Sequence, residues 1–91
     1  MTEQQIVALG YYCETLMRDD AFNFLCELYR DNGFKVMMAT APHEVKKREG
    51  IYAEVWSLQN FVAMMAGFVE QKNSILEDAE PVSQDDDKET E

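Results

Sequence analysis

Thr40-Ala41-Pro42-His43-Glu44-Val45-Lys46-Lys47-Arg48-Glu49-Gly50-Ile51-Tyr52 opens a stretch that continues to Leu76 without another proline. Thr40 reads as a cap, and Pro42 falls where a helix's first turn has no use for its missing N–H. Glu44 suits the positive end of the helix macrodipole. A helix from there to about Leu76 would be some 50 Å long at 1.5 Å per residue, more than a chain of 91 residues can cover. Along it Ile51, Val55, Leu58, Val62, Met65 and Val69 recur at spacings of 4, 3, 4, 3 and 4, a heptad seam followed by Lys72 and Leu76.

A second stripe, Phe61, Met64, Phe68 and Ile75, runs beside that seam. Together the two make an apolar arc of about 180°, wider than the roughly 100° that one core contact requires. Trp56, Asn60, Ala63 and Gly67 lie on the far side, where small residues admit another backbone. One part of the arc can pack on the rest of the chain. The surplus calls for a partner, and Ile51, Val55, Leu58, Phe61, Val62, Met64, Met65, Phe68, Val69 and Ile75 are the expected protein interface. The adjacent pairs Met37-Met38 and Met64-Met65 suit an adaptable contact. A competing reading stays open, in which the arc receives both earlier helices in a monomeric three-helix bundle.

Outward toward the N-terminus, Ala21 to Thr40 places Phe22, Leu25, Cys26, Tyr29, Val36 and Met37 on one face if the whole stretch is helical. Asp31-Asn32-Gly33 interrupts it. Asn-Gly is a hairpin signal, so residues 24–38 read either as a helix, kinked or ending at Gly33, or as two short strands. The helix is favoured, because Leu28-Tyr29 and Met37-Met38 break strand alternation. Before it, Thr2 and Gln5 form a capping-box pattern, and Ile6, Leu9, Cys13 and Leu16 follow at helical spacing. Gly10 weakens that first helix by about 1 kcal/mol relative to Ala. Arg18-Asp19-Asp20 supplies the break and a new N-cap.

The charge is unevenly placed. Of 18 acidic and 8 basic residues, 10 and 7 fall in residues 1–76, leaving 8 acids and 1 base in residues 77–91. The division is therefore a helical domain, 1–76, and an acidic tail, 77–91. The tail has one branched aliphatic, Val82, and no aromatic, and is expected to be disordered in isolation.

A net charge of −10 argues against nucleic acid as the main ligand. Lys46-Lys47-Arg48 is the one basic cluster, and Glu44 to Arg48 has the favourable i,i+4 order for an ion pair. No segment reaches the roughly 18–20 apolar residues of a membrane span, and Met1-Thr2-Glu3-Gln4-Gln5 lacks a signal peptide's basic and apolar regions. An intracellular or virion location is expected. Cys13 and Cys26 read as reduced core thiols. His43, the single histidine, has no ligand-spaced companion, and no phosphate loop or nucleophile motif appears. No catalytic residue, cofactor or metal is expected.

The run Thr40 to Tyr52, with its Thr-x-Pro-x-Glu-x-x-x-Arg-Glu-x-x-Tyr pattern, and the preceding Asp20-Ala21-Phe22 resemble short helical proteins encoded by tailed bacteriophages. The resemblance covers residues 19–70 and implies a phage setting more than an activity; Gly50 and Asp31-Asn32-Gly33 depart from its more continuously helical pattern. The expectation is an all-α helical hairpin with a short leading helix and an acidic tail. Its expected role is that of a non-enzymatic, oligomeric virion head or connector assembly accessory, binding itself or another phage or host protein. The alternatives are an acidic DNA mimic that inhibits a host enzyme, and a small helix-turn-helix regulator.

Overall fold

The computed structural model describes residues 1–79, which form three helices in the order α1 (Glu3–Met17), α2 (Asp20–Met38) and α3 (Val45–Ala79). Among the described residues there is no strand, and the fold is all-helical with a short N-terminal and a long C-terminal helix. The expected disordered tail lies outside the described residues from position 80 onward, while Glu77–Ala79 continue α3.

The starts of α1 and α2 are closed by side chains satisfying amides that have no intrahelical partner. At α1 the Thr2 amide donates to Gln5 Oε1 at 2.8 Å and the Gln5 amide to Thr2 Oγ1 at 3.1 Å. This is the reciprocal capping box read from the sequence. At α2 the Phe22 amide donates to Asp19 Oδ2 at 2.9 Å, and Asn23 Nδ2 donates back to the Met17 carbonyl at 2.9 Å.

Before α3 the arrangement differs from expectation. Pro42 and His43 occupy a turn ahead of the helix, which begins at Val45. The reason is local hydrogen bonding. Arg48 donates from one guanidinium nitrogen to Thr40 Oγ1 (3.0 Å) and the Ala41 carbonyl (2.7 Å), and from the other to the Pro42 carbonyl (3.0 Å). Glu44, instead of pairing with Arg48, accepts from the Ala41 amide at 2.8 Å. Acid and base both serve the turn, holding it out of the helix.

The chain divides into two compact units. One comprises residues 1–15 with residues 65 onward, the other residues 16–64. In the first, Ile6, Leu9, Gly10 and Cys13 of α1 lie on the covered side. Gly10 is essential to that packing: a Cβ there would collide with Lys72 Cβ and lie 2.8 Å from the Phe68 carbonyl. Its cost in helix propensity is the condition for close approach.

In the second unit α2 returns along the first part of α3 through residues 39–44. The helix runs unbroken through Asp31-Asn32-Gly33 to Met38, which settles the segment against a hairpin and against termination at Gly33. Gly33 is buried, and a Cβ there would stand 2.7 Å from a Val55 methyl. A residue that reads as a turn signal is a contact point between helices, so tertiary packing overrides local propensity.

Candidate protein-interaction surface

The interior of both units is thin. Among the described residues the buried hydrophobic side chains are Cys13, Cys26 and Met65, and none of the large side chains is fully enclosed. The thiols are free and buried, as a small hydrophobe's would be.

In the unit of residues 16–64, Ile51, Val55, Leu58 and Val62 are half-buried, consistent with an own-chain contact. Phe61 and Met64 are exposed, at 52% and 53%. In the other unit Met65 is buried, while Phe68, Val69 and Ile75 are half-buried. The seam of the long helix therefore serves its own chain first, and of the ten expected interface residues Phe61 and Met64 stand open.

The larger uncovered surface lies where periodicity along α3 alone did not point. On α2 the expected single apolar face splits in two. Phe22, Cys26, Gly33 and Met37 are covered, whereas Leu25, Tyr29 and Val36, joined by Leu28, are exposed. At 100° per residue the two stripes are centred about 100° apart. On α3 a further exposed set, Val45, Tyr52 and Trp56, lies at spacings of 7 and 4. Phe34 and Met38 of α2 are also exposed. On α1, Met1, Gln5, Ala8, Leu9 and Tyr12 line an open, mainly apolar groove of about 570 Å³. The signal that could have found these faces was a second apolar stripe on each helix, offset from the first.

Aromatic side chains present 150–250 Å² each, so half-exposed Phe34, Tyr52 and Trp56 leave about 100 Å² apiece in water. That is roughly 2–3 kcal/mol each of transfer free energy that a covering surface would recover.

The unit of residues 1–15 and 65 onward holds a buried charge. Lys72 is 4% exposed, its ammonium donating to Glu14 Oε1 at 2.5 Å and lying 4.3 Å from the centroid of the Tyr11 ring. Its stem packs where Gly10 leaves room. The arrangement is an internal tie, with both partners occupied. Lys46, Lys47 and His43 are exposed, and Arg48 is spent on the turn. Among the described residues no three His, Cys, Asp or Glu side chains gather within reach of one metal ion. No helix among them is long and apolar enough to cross a membrane.

No family model, curated protein or solved structure matches this chain.

Proposed function

We propose that this chain is a non-enzymatic protein-interaction component that works as an oligomer, an assembly accessory of the virion head or connector kind. The observation that carries the association is the disproportion between a thin interior and the exposed apolar side chains Leu25, Leu28, Phe34, Trp56 and Phe61. Leu25, Leu28 and Tyr29 share one side of α2, and an uncovered apolar stripe of this kind marks interfaces. A domain this short buries too little of its own surface to be stabilised well alone, so association adds burial that the fold lacks. The virion setting rests on the pattern Thr40 to Tyr52.

Light scattering on the eluting full-length chain tests the association: the expected mass is a multiple of 10.5 kDa. A strict monomer with no copurifying protein contradicts it. For the virion setting, quantitative mass spectrometry of purified particles is expected to find the chain in fixed ratio to the capsid protein. Its absence from particles and from assembly intermediates contradicts that part alone.

A further inference from the structure

We propose that the Glu14–Lys72 pair is an acid-sensitive latch: protonation of the Glu14 carboxylate releases α1 from α3 and uncovers Phe68, Val69 and Ile75. The device lies wholly within the unit of residues 1–15 and 65 onward. It stands whether or not the chain associates.

In that unit α1 is set against the C-terminal part of α3, closest where Gly10 meets the Phe68 carbonyl and the Lys72 stem. The apolar contact is thin. Ile6 and Leu9 of α1 and Phe68, Val69 and Ile75 of α3 are half-buried. Cys13 and Met65 are the buried hydrophobic side chains among the described residues of the unit. Into this contact the fold places a full positive charge. Lys72 is 4% exposed, and its neighbours one turn away on α3, Phe68, Val69, Ile75 and Leu76, are all apolar. A cation so placed is stabilised only while an anion faces it.

The groups around the pair come from both helices. From α1, Glu14 Oε1 receives the ammonium at 2.5 Å, and the Tyr11 ring centroid lies 4.3 Å from it. Cys13 precedes Glu14, and Arg18 follows one turn later in the sequence. From α3, the nearest acids in sequence to Lys72 are Glu70 and Glu77. Both are exposed, and at 100° per residue both lie about 140–160° round the axis from it. Among the described residues Glu14 is the carboxylate paired with Lys72. The Tyr11 ring does not substitute for it, because its face attracts a cation without supplying a counter-charge.

The two partners differ in access to solvent. The Glu14 side chain is 24% exposed, so protons reach it while the ammonium stays enclosed. Ordinary carboxylates titrate at about pH 4. Above that range the pair is intact and α1 is docked. Below it Glu14 is neutral and the enclosed ammonium has lost its counter-charge. The favoured state is then the one in which α1 has moved off and Lys72 reaches water. The stabilisation therefore belongs to ionised Glu14 and is lost as pH falls.

Two native thiols read the event in the full-length chain. Cys13 is buried on α1, and Cys26 is buried in the other unit. Labelling with dithiodipyridine, located by peptide mass spectrometry, gives a Cys13-to-Cys26 rate ratio from which the reagent's own pH dependence cancels. Between neutral pH and about pH 3.5 that ratio is expected to rise about 10-fold or more. In Glu14→Gln it is expected to be raised already at neutral pH and to change little with acid. Lys72→Met has no enclosed charge to release and should keep Cys13 protected at both pH values. Other carboxylates titrate over the same range, and this variant separates them from Glu14. Cys26 reacting in step with Cys13, in the wild type or in Glu14→Gln, overturns the latch in favour of whole-chain unfolding. Cys13 that stays protected in Glu14→Gln at neutral pH overturns it too. An acid response that persists in Lys72→Met assigns the effect to another group and likewise overturns it.

Discussion

Glu14 and Lys72 lie 58 residues apart in the sequence and meet as an ion pair, Nζ standing 2.5 Å from Oε1. The pair is asymmetric. The Lys72 side chain is 4% exposed and that of Glu14 24%. Removing one partner of a buried pair costs most when the charge left behind cannot reach water. Glu14→Ala should therefore destabilise the chain by about 2–3 kcal/mol, below the roughly 3–5 kcal/mol of a fully buried pair because Glu14 is partly solvated. Lys72→Met keeps the packing of the stem and removes the buried charge itself, leaving behind only the partly exposed Glu14 side chain, so it should cost less than half as much. Urea unfolding of the two variants checks the ranking; equal losses would mean that the ammonium is hydrated in the folded chain.

The glycines make a graded series. Gly10→Ala places a methyl against Lys72 Cβ and the Phe68 carbonyl, backbone that cannot move aside, and should cost about 2 kcal/mol or more. Gly33→Ala meets a Val55 methyl at 2.7 Å and an Ile51 methyl at 3.8 Å; the β-branched Val55 has little rotamer freedom on a helix, so a smaller loss of about 1 kcal/mol is expected. Gly50→Ala meets nothing within 4 Å in the middle of a helical turn and should stabilise by about 0.5–1 kcal/mol. Thermal melts of the three variants at one protein concentration test the order.

Arg48→Lys should not be a conservative change. The guanidinium spans Thr40, Ala41 and Pro42 with three hydrogen bonds, and an ammonium has no planar fork to reproduce them. A loss of about 1–2 kcal/mol is expected. Hydrogen exchange should show faster amide exchange in residues 40–45 than elsewhere in the variant.

Asp19→Ala removes the acceptor for the Phe22 amide and should cost about 1 kcal/mol, as N-cap losses do. Chemical denaturation measures it directly; an unchanged midpoint would show the α2 start to be held by Asn23 instead.

The parts of this fold that follow from neighbours in sequence were legible. The capping box of Thr2 and Gln5, the N-cap Asp19 and the repeat Ile51 to Val69 need only local chemistry, and all-helical architecture follows from them. What escaped depends on residues far apart in the chain. Gly33 beside Asn32 reads as a turn until Val55 is placed against it, and Gly10 reads as a defect until Lys72 is. Lys72 itself looks like a solvated base within the α3 stripe; only Glu14 and Tyr11, from another helix, explain its burial. The apolar face of α2 was read as one where there are two, because periodicity reports which residues share a side but not how much of that side a neighbouring helix reaches.

Sedimentation velocity of the unmodified full-length chain from 1 to 100 µM bears most directly on the claim that its apolar surface exceeds what it can cover. The prediction is a concentration-dependent boundary moving from one toward at least twice the 10.5 kDa chain mass, with half-association in the micromolar range. A single 10.5 kDa species at every concentration would contradict it.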